Sequence, residues 1–306
     1  MIAAAAAIQV LGGLALAPLL PGAIQALKAY LQGRRGPSLL QPYRELRRLW
    51  GKSLADPQPS TLVYRLAPCL VAAATALALL LVPIAGRAPD WSLGNDALVL
   101  VGLLALARFA LAASSWDTGS GFALMGSSRD LTLAVFAEAL LLLALLLAAY
   151  PAGSTDLLAM ASAAAGSGPW GEPVHWCAAV AFGLVVLVET GRQPIDNPDT
   201  HLELTMIHEG PLLEYAGRDL ALLEWSAAAR HWLVLVLGAE LFLPHGGGFW
   251  AQLGWLVAGV TALCAGLALV ETAQAKMRIL RAPGLLAGGC LLALAGLASA
   301  LIGGLS

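Results

Sequence analysis

The chain has 306 residues, 59% of them hydrophobic and 12% charged, with a mean hydropathy of +0.77. Soluble domains carry about 25% charged residues, so this composition fits lipid as the solvent. The formal net charge is -2, and the excess of Asp and Glu over Lys and Arg speaks against nucleic acid, which would want a basic face.

Solid apolar runs predict an all-α, polytopic membrane protein of about eight transmembrane helices. They lie at about 2–27, 61–83, 95–115, 130–150, 174–190, 227–243, 250–272 and 283–304, where a crossing needs about 20 apolar residues. A barrel would alternate apolar and polar residues instead, and helices satisfy their own backbone in lipid. The first run carries no charge before Lys28, so it reads as a retained span and not a cleaved signal peptide. After it, residues 29–60 form a cytoplasmic loop with an amphipathic helix at the headgroups: Leu39, Leu40, Tyr43, Leu46, Leu49 and Trp50 fall near helical spacing, with Arg44, Arg47 and Arg48 between them. Gly119-Ser120-Gly121 and Gly126-Ser127-Ser128 read as turns between the third and fourth spans. Residues 191–226 form an acidic cytoplasmic coupling loop holding Asp196, Asp199, His201, Glu203, His208, Glu209, Glu214 and Asp219. Residues 1–306 form a single membrane domain. All of the 17 Lys and Arg residues except Arg87 fall on one side of this arrangement. The positive-inside rule makes that side cytoplasmic, with both termini outside a bacterial or archaeal cytoplasmic membrane.

A carboxylate at membrane depth costs about 2.5–3.5 kcal/mol or more, so it faces protein or water and marks function. Glu138, nine residues after Arg129, is the clearest case, about 13 Å from one end of its span. Glu189 ends the fifth span, Glu240 sits in the sixth and Glu271 late in the seventh. Such a row can relay protons. The structural alternative is that these carboxylates pair with Arg or cap a neighbouring helix. Arg108, in the third span, is explained almost as well by snorkelling as by a functional role.

The His201, Glu203, His208 and Glu209 group matches no metal-ligand signature, since HxxxxxxHE is not HExxH. It reads as a solvated docking face or as a place of proton entry. Cys69, Cys177, Cys264 and Cys290 each stand alone in an apolar run, so neither an iron–sulfur cluster nor zinc is expected from this chain. With no phosphate loop and no nucleophile elbow, no catalytic residue is assigned.

Several strings carry a family resemblance. Arg34-Arg35-Gly36-Pro37, Leu40-Gln41-Pro42, the Glu189, Arg192, Pro194 and Asp196 set, and the run ALMGSSRD followed by Glu138 resemble the membrane subunit of respiratory complex I that docks the peripheral arm. The string NPDTHLELTMIHE at 197–209 is more similar to the homologous subunit of energy-converting, group 4 nickel–iron hydrogenases, formate hydrogenlyase among them; complex I has a shorter, more acidic loop here. The resemblance covers nearly the whole chain. It implies a subunit that anchors a hydrophilic redox arm and couples electron transfer to proton or sodium movement. The partners it implies are hydrogenase-like large and small subunits with iron–sulfur proteins on the cytoplasmic side, and antiporter-like subunits in the membrane. Iron–sulfur clusters and the nickel–iron site would belong to those partners, with no cofactor in this chain. Glu138, Glu189, Asp196, Asp199, Glu203, Glu214, Glu240 and Glu271 are the expected path and coupling residues. Arg34, Arg35, Arg129, Arg192, His201, His208 and Glu209 are the expected loop-support and docking residues. Quinone reduction and a purely structural anchor are the alternatives.

Overall fold

The structure, a computed structural model, describes residues 10–88, 95–166, 168–196 and 206–303. Among these, helices α1 (Leu19–Leu31), α2 (Gln41–Trp50), α3 (Leu62–Leu81), α4 (Ala97–Thr118), α5 (Gly121–Ala149), α6 (Leu157–Ala164), α7 (Pro173–Glu189), α8 (Gly217–Phe242), α9 (Phe249–Ala273) and α10 (Ala282–Gly303) account for the architecture. Among the described residues, seven helices are long and apolar enough to cross a membrane; the first of these spans, Val10–Leu31, includes α1. An eighth apolar helix, α7, has 17 residues and is about 26 Å long, slightly short of a hydrocarbon core of about 30 Å.

Side chains and turns fix where the helices begin. Thr61 caps α3 by accepting from the Val63 N–H at 3.3 Å. The Asp117 carboxylate near the end of α4 accepts from the Thr61 N–H and hydroxyl, both at 2.7 Å, and joins the two helices at that end. Asp96 and Asp156 cap α4 and α6 in the same manner. Their neighbouring backbones pair, with the Leu157 N–H donating to the Asn95 carbonyl at 2.8 Å. The core runs through α5, α7 and α8, where Leu133, Leu140, Phe182, Val185, Leu233 and Leu237 are buried.

Three boundaries differ from the sequence expectation. Gly126, Ser127 and Ser128 lie inside α5, not in a turn; the chain reverses once, at Gly119, whose φ of +64° suits glycine. The eight-residue helix α6 lies in what reads as a plain loop. Helix α8 starts at Gly217, so Asp219 and the residues up to 226 are helical and not loop. Gly217 has φ +61°, and a Cβ there would stand 2.4 Å from the Ser53 carbonyl oxygen, so the loop after α2 lies directly against the start of α8. Helix α2 forms over Gln41–Trp50 with none of its residues buried.

Candidate functional site

The helix ends on one side of the bundle gather many of the ionisable residues. Contacts between segments distant in sequence define that side: the Met277 N–H donates to the Pro194 carbonyl at 2.9 Å, and the Tyr64 hydroxyl donates to the Glu214 carbonyl at 2.8 Å. The Tyr64 and Tyr215 rings stack with centroids 4.4 Å apart and planes 8° apart. These contacts pin the end of the 191–216 segment to α3. Burial pushes the Tyr215 phenol up from its ordinary value.

At the centre stands Arg108 of α4. Its side chain is 3% exposed, which rules out snorkelling: the guanidinium is held inside by carboxylates and does not reach for water. One Nη donates to Glu138 Oε1 at 2.8 Å and the other to Glu189 Oε1 at 2.5 Å, while Nε lies 3.6 Å from Asp130 Oδ2. Arg230 of α8 lies 3.9 Å from the second Glu189 oxygen. A planar guanidinium suits this bridging because it offers five donors in fixed directions. Glu189 is sealed at 2% side-chain exposure, whereas Glu138 keeps 32%.

From Asp130 the ionic string continues into the loop. Asp130 Oδ1 faces His208 Nε2 at 3.7 Å. His208 Nδ1 lies 3.2 Å from Asp196 Oδ2, which also accepts from the His208 backbone N–H at 3.3 Å. Lys276 donates to the other Asp196 oxygen at 2.9 Å. Burial alone would raise the Asp196 carboxyl, but His208 and Lys276 outweigh it and hold the group well below the usual carboxylate range. Beside this string, Arg192 reaches Glu271 at 3.2 and 3.4 Å, and Lys28 lies 3.8 Å from Glu271. The ion pairs thus join five cations (Lys28, Arg108, Arg192, Arg230 and Lys276) with five carboxylates (Asp130, Glu138, Glu189, Asp196 and Glu271), and His208 links two of the carboxylates.

These groups surround a cavity of about 730 Å³. Its walls include Pro21 and Gln25 of α1, Pro42, Leu46 and Leu49 of α2, and the charged side chains of Arg108, Asp130, Glu189, Arg192, Asp196, His208, Glu209 and Arg230. Helix α2 closes one side of this polar chamber with Pro42, Leu46 and Leu49 together with the charged Glu45 and Arg48.

Of the residues expected from sequence, Glu138, Glu189, Asp196, Arg192, His208 and Glu271 come together here, with Glu209 on the cavity wall. Arg129 supports the loop by donating to the Met206 carbonyl at 3.1 Å. Four residues lie apart. Glu240 is buried, and its carboxylate accepts from the Ala85 N–H at 2.8 Å, pinning the turn after α3. Glu214 contributes its carbonyl to Tyr64. Arg34 and Arg35 are exposed after α1. Asp199, His201 and Glu203 lie outside the described residues. Sequence reasoning missed Asp130, Arg230, Lys276 and Lys28 as site residues. The last three entered only as loop charges, and Asp130 only within a resembling string.

A family model described as NADH dehydrogenase matches residues 3–301. Hydrogenase-4 component C of Escherichia coli is 36% identical over 234 residues, covering 76% of this chain and 73% of that protein. Formate hydrogenlyase subunit 4 of the same organism is 34% identical over 274 residues, covering 86% and 83%. A chain of the membrane-bound sulfane sulfur reductase, an archaeal respiratory membrane complex, shares the fold with a TM-score of 0.84 at 20% identity, over 98% of this chain and 99% of that one. The chain belongs to the NADH dehydrogenase family of multi-pass membrane subunits and is homologous within it to the hydrogenase-4 and formate hydrogenlyase subunits.

Proposed function

We propose that this chain is the membrane-embedded coupling subunit of a respiratory-type oxidoreductase of the hydrogenase-4 and formate hydrogenlyase kind. It anchors a soluble arm of hydrogenase-like large and small subunits with iron–sulfur proteins, and sits beside antiporter-like membrane subunits. The nickel–iron site and the clusters belong to the arm. The observation that carries this reading is the continuous ionic string from the loop's Asp196 through His208, Asp130 and Arg108 to Glu138 within α5. A charge change in a docked arm alters the field at the 191–226 segment, and the string passes that change to membrane depth. The concentration of Lys and Arg on this side supports a cytoplasmic position for the loops and the arm.

The test is Glu138→Gln in the assembled complex. Coupled ion movement should be lost while the complex still assembles; a variant that moves ions normally removes Glu138 from the path. A purely structural anchor makes the opposite forecast, that Glu138, Glu189 and Glu271 can each be neutralised without effect on activity in assembled complexes.

The cavity favours a second reading, a quinone chamber between α1, α2 and the loop. The density of charged groups on its wall suits hydrated ions better than an isoprenoid chain. Extracting the purified complex with organic solvent checks this directly, because a stoichiometric quinone would support the second reading.

A further inference from the structure

We infer that the ion passed through this cluster is a proton and not an alkali cation, and that His208 carries it between Asp196 in the loop and Asp130 in α5. The inference rests on the coupling reading above and names the ion and its carrier.

His208 can accept a proton at one ring nitrogen and give one at the other. Its two ring nitrogens face two different carboxylates. Nδ1 lies 3.2 Å from Asp196 Oδ2. Nε2 is buried without a hydrogen-bond partner and looks at Asp130 Oδ1 across 3.7 Å. Around the ring stand Asp130 of α5, Asp196 after α7, Lys276 behind Asp196, and Glu209 next in the chain on the same cavity wall. Glu189 of α7 and His231 of α8 lie within electrostatic range. His231 meets the Thr190 carbonyl at 2.8 Å through Nε2, so that nitrogen holds its hydrogen as a donor.

The same geometry disfavours an alkali cation. Hard cations want several oxygen ligands at once, and most of the buried carboxylate oxygens here already face nitrogen donors. Asp196 has Lys276 on Oδ1 and His208 on Oδ2. Glu189 has Arg108 and Arg230, and Glu271 has Arg192 and Lys28. At Asp196, Glu189 and Glu271 sodium would have to displace a guanidinium or ammonium and strand it in the bundle. A proton displaces nothing.

The step balances as follows. Neutral His208 holds its hydrogen on Nδ1, donated to Asp196. A proton arriving on the Asp130 side binds the Nε2 lone pair and gives an imidazolium between two carboxylates. The Nδ1 hydrogen then leaves towards Asp196, and the ring is neutral again in the other tautomer. One proton enters at Nε2 and one departs from Nδ1. The arriving proton leaves Asp130 Oδ1 as the Nε2–H bond forms, and the departing one makes an O–H bond on Asp196 Oδ2 as the Nδ1–H bond breaks; the reverse order moves charge the other way.

Two measurements test this. The full chain in lipid nanodiscs, with its histidines labelled by nitrogen-15, gives one imidazole signal that disappears in His208→Gln. That signal should change protonation across a pH series with a midpoint that sodium leaves in place. Sodium competing at a shared site would lower the midpoint by about one pH unit per tenfold rise in sodium, and that shift would overturn the inference. A ring that never changes protonation while the chain stays folded would overturn it equally. In the assembled complex in proteoliposomes without sodium, His208→Gln should slow coupled proton movement about a hundredfold, the low end of what losing a proton-transfer group costs. Asp130→Asn, which keeps the His208–Asp196 contact, should slow it in the same direction and serves if His208→Gln does not assemble. If both variants move protons at the wild-type rate while Glu138→Gln is blocked, the carrier assignment is wrong and the coupling reading stands. If Glu138→Gln also moves them normally, the coupling reading fails and the inference falls with it.

Discussion

Gly126 of α5 and Gly210 of the loop meet backbone to backbone. A Cβ on Gly126 would stand 2.6 Å from the Gly210 Cα, and one on Gly210 would stand 2.7 Å from the Gly126 Cα. Asp130 follows Gly126 by one helical turn, and His208 precedes Gly210 by two residues. The glycine contact therefore sets the distance across which Asp130 and His208 face each other.

Gly126→Ala and Gly210→Ala should each push the loop away from α5 and cost about 1–3 kcal/mol, as overpacking does. The two act on one contact, so the double variant should cost less than the sum. Thermal unfolding in nanodiscs checks the energies. Faster proteolysis near Met206 would report the loop's release, because the Arg129 contact to the Met206 carbonyl is lost with it.

Arg108→Ala leaves Glu189 buried without its main partner. Removing one member of a buried ion pair costs about 3–5 kcal/mol, so the variant should accumulate poorly in membranes. Arg108→Ala with Glu189→Gln should recover part of that abundance, since the stranded charge is gone. Quantitative immunoblotting of membrane fractions distinguishes the two.

Asp196 gives a pH dependence with a defined sign. Its carboxyl is held below its ordinary 3.8 in the folded chain. The stability it contributes is thus fully present above that value and is lost as pH falls through the lowered folded value. Asp196→Asn should cost about 1.5–3 kcal/mol at neutral pH, the worth of a hydrogen bond to a charged group. The difference from wild type should shrink only below pH 3.8. Unfolding curves at descending pH decide this; a gap that closes near neutrality points to His208 and not Asp196 as the controlling group.

Tyr215→Phe removes the hydroxyl that donates to the Tyr64 carbonyl at 3.1 Å but keeps the stacked rings. It should cost about 1 kcal/mol, whereas Tyr215→Ala, which empties a buried aromatic site, should cost about 3–5 kcal/mol. Hydrogen exchange of residues 210–216 should rise in the same order.

Hydropathy made the spans legible because it needs only neighbours in sequence. Even so, α7 falls short of a full crossing and α5 begins earlier than its apolar run, through polar Gly126, Ser127 and Ser128. Those residues read as a turn by composition; their helical place depends on Gly210, which is remote in sequence. The site was legible in part for the same reason. Glu138 and Glu189 stood out as charges in apolar runs, but their bonds to Arg108 link residues 30 and 81 positions apart. Asp130 gave no such signal, lying beside Arg129 near the edge of its apolar run. Glu240 gave the same signal as Glu138 and holds a turn.

Among the described residues, the five cations and five carboxylates that these ion pairs join balance charge for charge when all are ionised. From outside, such a set is an arrangement of dipoles whose potential dies away over short distances, so an apolar bundle can enclose ten charges. One added proton changes the character of that field. The cluster then carries a net monopole, whose potential falls off only with distance itself in a medium that screens poorly. Every helix around the cavity would register it at once. Neutrality at rest is what lets a single elementary charge be heard across the bundle.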